Sequence, residues 1–271
     1  MSKSILVETM SDSFPGEYLE EVPGCVSIII PVYNEIQSID KLLQLVESSA
    51  VYKQIILVDD GSTDGTPEVL ARAHRPFAVT TVFHDDNRGK GAAIRTGLRY
   101  ARGEFVLIQD ADLEYDPRDY PALLEPLRQG HANVVYGVRP DRRERGLIYF
   151  YGARFLTHLT NFLYRCNIRD EATCYKVFRR STLNTIELNC RRFEFCPEVT
   201  AKLSRMGEKI WEVPISYHPR SAKEGKKIRW SDGLMAIWTL FRYRFEPRRW
   251  FTAAGNTETA NEESPMLETS S

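Results

Sequence analysis

The sequence predicts an α/β fold: a mostly parallel sheet flanked by helices, with further helices toward the C-terminal end. From Cys25 onward, short apolar runs alternate with amphipathic stretches, which is the pattern of repeated β-α-β units. The runs are apolar throughout, as strands covered by helices on both faces must be. Acidic residues follow several of the runs, where parallel strands would open onto a ligand-binding crevice. We therefore expect one main domain with its site at the carboxyl ends of the strands.

Hydrophobic spacing assigns the individual elements. The first predicted strand is 26–32 (VSIIIPV), and apolar residues then recur at helical spacing from Ile39 to Val46. The next predicted elements are a strand at 55–58, a helix capped by Thr66 with Pro67 in its first turn, a strand at 79–83, a helix over about 92–100 and a strand at 105–108.

The distribution of charge predicts four segments. Residues 1–24 carry one base against five acids and are expected to form an acidic flexible tail. Residues 25–227 form the main domain. Residues 228–250 are basic and aromatic and are expected to form an amphipathic helix, and residues 251–271 are predicted to be a disordered acidic tail.

The predicted amphipathic helix, from Trp230 to Phe245, has two interpretations. A helix of this length spans only ~24 Å at ~1.5 Å per residue, short of the ~30 Å hydrocarbon core of a bilayer. It could lie in a membrane interface, with Trp238 and Phe241 entering the acyl region and arginines meeting anionic headgroups. Alternatively it packs on the main domain, because it is apolar nearly all round.

The composition argues against several classes of protein. With 36 basic and 37 acidic residues, the chain lacks the basic excess of a dedicated nucleic-acid binder, and we expect no nucleic-acid partner. Its five cysteines include no C-x-x-C pair, which favours a reducing cytosol over a disulfide framework or a zinc knuckle. The chain has no metal-binding histidine pattern and no G-x-S-x-G motif, which argues against a hydrolase. We also expect neither a signal peptide nor a membrane span.

Two carboxylates, Asp110 and Asp112, directly follow the strand predicted at 105–108. Mg²⁺ or Mn²⁺ commonly takes one or two such ligands and completes its coordination with water and diphosphate oxygens. A lone D-x-D also occurs in turns and caps. Its position after a buried strand is what favours a metal site.

Two more motifs lie at predicted strand ends. Asp59 and Asp60, followed by Gly61, could supply acceptors to a base or ribose, or could simply build the turn before a helix. The loop 87–91 (NRGKG) resembles a phosphate cradle but lacks the Gly-Lys-Ser/Thr ending of a Walker motif. The alternative is a tight loop whose Lys90 touches solvent or a neighbouring carboxylate.

An ordered set of motifs resembles a known family. The segments VSIIIPVYNE, LVDDGSTDGT, NRGKGAAIRTG, QDADLEYDP and VVYGVR look like family 2 glycosyltransferases of the Rossmann-like GT-A fold. The chain most resembles dolichol-phosphate mannose synthases and related polyprenyl-phosphate hexosyltransferases, from about Val26 to Lys227. It departs from them at Glu114, where they usually have glutamine, and at 170–176 (DEATCYK), where they commonly read D-P-T-S-G-F-R.

The resemblance implies a set of site residues. Asp112 and Arg139 would be catalytic, Asp110 and Asp112 would hold the metal, and Arg154 would meet the acceptor phosphate. The residues implied to bind the nucleotide-sugar are Pro31, Tyr33, Glu35, Val58, Asp60, Asp110, Ala111, Asp112, Glu114, Arg139, Arg220 and Lys226. Arg220 and Lys226 would reach phosphates from a mobile loop.

The resemblance further implies transfer of a hexose from a nucleotide-sugar, with GDP-mannose favoured and UDP-glucose as the rival, to a dolichyl-type polyprenyl phosphate. The reaction would invert the anomeric centre and use Mg²⁺ or Mn²⁺. The enzyme would be cytoplasmic and peripheral on the cytosolic face of a membrane, with a membrane subunit as a further candidate partner. A phosphate nucleophile is already ionised near neutral pH and needs no general base.

Other functions remain open at this point. An enzyme of the same family acting on a saccharide hydroxyl would need a carboxylate base, for which Glu171 and Glu198 are the candidates. From other classes, a nucleotidyltransferase or a noncatalytic nucleotide-binding protein could use the same crevice. The loop PVYNE after the first strand argues against the former, and the intact carboxylates and cations argue against the latter.

Overall fold

The computed structural model describes residues 7–9, 20–72, 79–140, 147–220 and 230–249. Its strands are β1 (Val7–Thr9), β2 (Val22–Val32), β3 (Lys53–Asp59), β4 (Val79–Phe83), β5 (Gly103–Ile108), β6 (Val134–Val138), β7 (Lys176–Arg179) and β8 (Ile210–Pro214). Its helices are α1 (Ile39–Ser48), α2 (Thr66–Arg72), α3 (Lys90–Leu98), α4 (Tyr120–Arg128), α5 (Leu147–Tyr164), α6 (Arg180–Asn184), α7 (Phe195–Met206) and α8 (Trp230–Phe245), with a 3₁₀ turn at Pro117–Asp119.

The strands form one sheet in the order β1-β4-β3-β2-β5-β7-β6-β8. β7 runs antiparallel to both β5 and β6, and the other neighbouring pairs are parallel. The central strands are buried on both faces because helices cover each side. Ile28 and Ile30 of β2 pack in one apolar cluster with Leu42 of α1, whereas Ile29 packs in a second cluster with Ile94 of α3. The predicted α/β class is confirmed.

The predicted elements agree with the structure except at their ends. β4 has the predicted bounds, and the other three strands extend beyond the apolar runs by one to four residues. Thr66 does not cap α2 from outside but is its first residue. Its N–H donates to Asp64 Oδ1 at 3.1 Å, so Asp64 supplies the oxygen that we expected from Thr66.

The prediction of a flexible tail over 1–24 needs correction at two places. Val7–Thr9 form edge strand β1, parallel to β4, and β2 already begins at Val22. Edge pairing uses main-chain N–H and C=O groups, which even a three-residue segment offers whatever its side chains are. The charge pattern of the tail therefore could not reveal strand β1. The predicted tail at 251–271 lies outside the described residues.

Helix α8 lies within the segment predicted to be helical. It buries Ala236, Leu240 and Tyr243, and it packs against α5 and α7. Tyr164 Oη of α5 donates to the carbonyl oxygen of Leu240 at 2.5 Å. Among the described helices, none has both the length and the apolarity needed to cross a bilayer. All five cysteines are free thiols.

Candidate active site

The segments that follow β2, β3 and β5 lie together at one edge of the sheet. Asn34 N donates to Ser62 Oγ at 2.8 Å, and Glu35 N donates to Thr66 Oγ1 at 3.1 Å. These bonds join the PVYNE segment to the DDGSTDGT segment. Arg220 bridges to the third segment, donating from Nη2 to Glu35 Oε2 at 2.8 Å and from Nε to the carbonyl oxygen of Asp112 at 2.7 Å. The expected convergence of the three motifs is therefore confirmed.

The D-A-D segment carries two carboxylates in different environments. Asp110 forms an ion pair with Lys90. Asp112 Oδ1 accepts from the N–H of Glu114 at 3.1 Å. Burial, together with the nearby charges of Asp110 and Glu114, raises the pKa of Asp112 to about 7. A nearby cation would stabilise the ionised form of Asp112. The charges of the protein itself provide only part of that stabilisation.

Lys90 has a larger role than the sequence indicated. Its Nζ contacts Asp110 and lies 3.0 Å from Cys174 Sγ. Burial alone would lower the pKa of Lys90, but Asp110 more than offsets this effect and raises the pKa well above its usual value. Lys90 therefore places a permanent positive charge next to the D-A-D segment.

The loop 87–91 does not form a phosphate cradle, which corrects one of our two interpretations. The N–H groups of Gly91 and Ala92, in the first turn of α3, donate to the carbonyl oxygens of Arg192 and Arg191 at 2.9 Å each. A Cβ on Gly91 would lie within 2.9 Å of the Arg192 carbonyl oxygen, so the two segments are in close contact. These amides are thus occupied by the chain, and the alternative, in which Lys90 contacts a carboxylate, is confirmed.

Asp60 organises the same loop from the other side. Its Oδ1 accepts from Arg88 N at 3.0 Å and contacts His84 Nδ1 at 2.7 Å, and its Oδ2 accepts from Gly89 N at 2.7 Å. A Cβ on Gly61 would lie 2.6 Å from the backbone of Asp86, so this glycine is required for the approach of two loops of the chain. Asp60 is 2 % exposed, and its role in nucleoside binding stays a prediction.

We expect Asp60→Asn to lower the free energy of unfolding by about 2 kcal/mol, because its amide nitrogen cannot accept from a backbone N–H and leaves a buried donor unpaired. Asp59→Asn is the matched control. Asp59 accepts from Ser62 N through one oxygen at 3.0 Å, which asparagine can retain. Denaturant titration of both variants measures the difference, and equal losses would contradict the assigned role of Asp60.

Arg139, predicted to bind phosphate, lies in a largely buried ion pair. Nε and Nη2 donate to the two carboxylate oxygens of Asp170 at 2.7 and 2.6 Å, and the guanidinium lies 5.5 Å from the ring centroid of Tyr217. Burial alone would raise the pKa of Asp170, but Arg139 holds it below its usual value. The pair therefore stays ionised, with Arg139 held in a single orientation. Arg154, the predicted acceptor-phosphate residue, is exposed on α5, 5.8 Å from the ring centroid of Phe150.

Glu114 and Tyr217 fix the position of Arg220. Tyr217 Oη donates to one carboxylate oxygen of Glu114, and the N–H of Arg220 donates to the other at 2.9 Å. A β-bridge between Tyr115 and Tyr217 joins the same two segments. The sequence could not reveal this function for Glu114. Lys226, the predicted partner of Arg220, and the part of the predicted mobile loop that follows Arg220 lie outside the described residues.

The remaining predicted residues line or support the same edge. Pro31 and Val58 pair across β2 and β3, and Val58 is fully buried. Ala111 is buried between the two carboxylates, and Tyr33 is partly exposed.

The two glutamates considered as general bases for a hydroxyl acceptor are both buried. Glu171 is fully buried, and within the described part of the chain neither of its carboxylate oxygens has a hydrogen-bond partner. Glu198 pairs with Lys202 on α7 and accepts from Tyr243 Oη of α8 at 2.9 Å. Glu198 thus holds two helices together rather than facing the crevice.

The sequence model described as "Glycosyl transferase family 2" matches residues 27–186, which contain the D-A-D segment and most of its surroundings. The chain belongs to this family. As a family 2 glycosyltransferase it is an enzyme, and the alternatives of a nucleotidyltransferase and a noncatalytic binding protein are set aside.

This family 2 glycosyltransferase is similar to several curated proteins. It is 27% identical over 242 residues to the dodecaprenyl-phosphate galacturonate synthase of Rhizobium johnstonii, covering 85% of this chain and 71% of that one. It is 31% identical to the undecaprenyl-phosphate 4-deoxy-4-formamido-L-arabinose transferase of Edwardsiella ictaluri (74% and 62% covered). It is 28% identical to the low-salt glycan biosynthesis hexosyltransferase Agl6 of Haloferax volcanii (75% and 50%). The chain therefore spans less than two thirds of the length of the latter two.

Solved structures share the fold of this glycosyltransferase. The glucosyl-3-phosphoglycerate synthase of Mycobacterium tuberculosis, in complex with UDP, superposes with a TM-score of 0.66 at 19% identity, covering 83% of this chain and 82% of that one. The same enzyme with Mn²⁺, UDP and its product superposes with a TM-score of 0.64 at 18% identity, with 83% and 81% covered. The predicted GT-A fold is confirmed.

The carboxylates of the site fit a hard divalent cation that would take its remaining ligands from a diphosphate or from water. Among the described residues, no three His, Cys, Asp or Glu side chains form a complete metal site. Asp110 and Asp112 offer two carboxylates, the number that Mg²⁺ usually takes from a protein in such sites. The raised pKa of Asp112 shows that its negative charge is incompletely compensated. These residues can therefore hold the ion only in part, and ligand oxygens or water would complete the coordination.

Proposed function

We propose that this glycosyltransferase transfers a hexose from a nucleotide-sugar to a polyprenyl phosphate, with inversion and with the help of Mg²⁺ or Mn²⁺. The observation that carries the proposal is the grouping of Asp110 and Asp112 with Lys90 and Arg220. The names of the similar proteins from Rhizobium johnstonii and Edwardsiella ictaluri support a polyprenyl-phosphate acceptor. GDP-mannose is the donor favoured by the motifs, whereas the structural neighbour with bound UDP supports a UDP-sugar.

The protein would bind and orient the donor and neutralise the charge of its departing diphosphate. Asp110 and Asp112 would hold the cation, which when bound supplies positive charge to the departing diphosphate. Arg220 is held beside this segment through Glu114 and Asp112, so its guanidinium is positioned before the donor arrives. Lys90 pairs with Asp110 and fixes its position. Each of these groups is oriented by a second residue, which reduces the reorganisation needed during the reaction.

The acceptor phosphate would attack the anomeric carbon directly. Its oxygen is ionised near neutral pH, so no residue has to remove a proton. The burial of Glu171 and Glu198, the two candidate bases for a hydroxyl acceptor, supports an acceptor that needs no base. Arg139 is our candidate for orienting a phosphate, since Asp170 and Tyr217 hold it in one place. A single in-line displacement inverts the anomeric centre.

An acceptor and donor panel tests the proposal. Purified protein is incubated with Mg²⁺ or Mn²⁺ and labelled GDP- and UDP-sugars, with a polyprenyl phosphate, with the corresponding polyprenol, and with neither. We expect label in the lipid fraction only with the phosphate, and with one nucleotide class strongly preferred. Transfer to the polyprenol, without transfer to the polyprenyl phosphate, would contradict the proposal.

A further inference from the structure

Three buried polar side chains form a chain of contacts that ends at the carboxylate of Asp60. His84, the residue that follows β4, has its Nδ1 2.7 Å from Asp60 Oδ1 and its Nε2 2.9 Å from Oγ1 of Thr96 on α3. The main-chain N–H of His84 donates to the carbonyl oxygen of Asp59 at 2.8 Å. Asp60, His84 and Thr96 are all buried. The imidazole is therefore held at both of its nitrogens and through its backbone.

The partners of the imidazole determine where its hydrogen lies. An ionised carboxylate only accepts hydrogen bonds, so Nδ1 of His84 carries the hydrogen that faces Asp60. In the neutral ring Nε2 then carries no hydrogen and accepts from the hydroxyl of Thr96. In the protonated ring Nε2 donates to the same hydroxyl instead. His84 is thus a donor to Asp60 in both protonation states.

The contacts of Asp60 leave one acceptor position of its carboxylate for a ligand. Oδ1 accepts from His84 Nδ1 and from Arg88 N, which uses both of its lone pairs. Oδ2 accepts from Gly89 N at 2.7 Å, and the described residues place no second donor on it. The remaining lone pair of Oδ2 suits a donor group of a nucleoside, such as an N–H of the base or a hydroxyl of the ribose.

We propose that His84 is a positioning residue that orients Asp60 toward the nucleoside of the donor. The inference rests on the proposed function only for the use of a nucleotide-sugar. His84 would act through Asp60, because it supplies one of the three hydrogen bonds that fix the plane of the carboxylate. A ligand group that is oriented before binding costs less ordering when the ligand arrives. A histidine that merely joined β4 to α3 would affect folding, but not the affinity for a nucleotide relative to diphosphate.

Two amide substitutions separate the roles of the two ring nitrogens. The side-chain nitrogen of asparagine can take the place of Nδ1, whereas that of glutamine reaches the place of Nε2. His84→Asn therefore retains a donor to Asp60 and loses the contact with Thr96, and His84→Gln does the reverse. Both replace the ring by a smaller amide, so each is the matched control for the other. Thr96→Val removes the same contact with Thr96 without changing the ring.

Calorimetric titration in the presence of Mn²⁺ measures the binding of UDP, GDP and inorganic diphosphate. We expect His84→Gln to weaken binding of the preferred nucleotide at least about tenfold, the usual scale for a hydrogen bond to a charged group. His84→Asn and Thr96→Val should weaken it about threefold, the scale of a neutral hydrogen bond. Affinity for diphosphate, which has no nucleoside, should stay unchanged in all three variants. Circular dichroism and denaturant titration show whether each variant is folded.

The outcomes separate this inference from the proposed function. If His84→Gln binds the nucleotide as tightly as the unmodified protein, or loses affinity for nucleotide and diphosphate alike, the inference is wrong. Equal losses in His84→Gln and His84→Asn would also overturn it, because the donor at Nδ1 would then not matter. If His84→Gln does not fold, an unchanged nucleotide affinity of Thr96→Val overturns the inference. If the expected affinities are found but the unmodified protein transfers no sugar to a polyprenyl phosphate, the proposed function is wrong and the inference stands.

Discussion

Replacing Asp112 with asparagine should lower the rate of sugar transfer by at least about a hundredfold, because a cation that neutralises a leaving group contributes several kcal/mol. The substitution keeps the shape of the side chain. The amide oxygen can still accept from the N–H of Glu114, as Asp112 Oδ1 does. What is lost is the negative charge and with it a ligand for the metal ion.

The same substitution should leave the fold intact or stabilise it. Burial and the neighbouring carboxylates Asp110 and Glu114 make the charge of Asp112 unfavourable in the protein alone, as its pKa of about 7 reflects. We therefore expect a melting temperature at pH 8, without metal, equal to or above that of the unmodified protein. Asp116→Asn is the control, because Asp116 lies on the same segment but pairs with Arg118. It should retain transfer activity. Full turnover by the Asp112 variant at saturating metal would refute the assignment.

Two buried glutamates should respond in opposite directions to the same substitution. Glu171 is fully buried without a hydrogen-bond partner for its carboxylate in the described residues. Burial, which the charge of Lys176 offsets only in part, raises its pKa from 4.5 to about 7. At ~1.4 kcal/mol for each tenfold change in acidity, this amounts to about 3 kcal/mol. Glu171→Gln should therefore stabilise the protein at pH 8.

The stabilisation by Glu171→Gln should increase with pH. Below pH ~4.5 Glu171 is protonated in both the folded and the unfolded chain, so ionisation contributes nothing to the difference between them. As the pH rises toward 7, the unfolded chain ionises first and the folded state loses stability. Denaturant titrations of the two proteins at pH 4.5, 6 and 8 should diverge with rising pH. A constant difference across this range would contradict the prediction.

Glu198→Gln is the matched counterpart. Glu198 Oε1 accepts from Lys202 Nζ, from Tyr243 Oη at 2.9 Å and from Asn189 N at 2.7 Å. Removing its charge leaves the ammonium group of Lys202 buried without a counterion, which typically costs about 3–5 kcal/mol. The variant should be destabilised at pH 8, and α8 should loosen first, since Tyr243 belongs to that helix. Equal effects of the two substitutions on the free energy of unfolding would contradict the different environments assigned to Glu171 and Glu198.

The first half of the fold, from β2 to β5, could be predicted from the sequence because its signals are local. Buried parallel strands appear as continuous apolar runs, so β2 to β5 were predicted within a few residues, and the helices between them follow from spacing. The D-A-D, PVYNE and DDGS segments could be expected at one edge because the carboxyl ends of parallel strands meet there. Edge strand β1 escaped prediction because backbone pairing leaves no side-chain pattern.

Only the tertiary structure decided what each polar side chain contacts. Lys90, Glu114 and Glu198 differ little in local sequence from ordinary loop and helix residues. In the folded chain, however, Lys90 is the counterion of Asp110, and Glu114 accepts a hydrogen bond from Tyr217. Glu198 forms an ion pair with Lys202. Hydrogen bonds and ion pairs act over a few ångströms between segments up to 185 positions apart, as between Glu35 and Arg220. The sequence by itself determined which residues carry chemistry. Which of them meet depends on the folded chain, because short-range forces act only after packing has brought distant segments into contact.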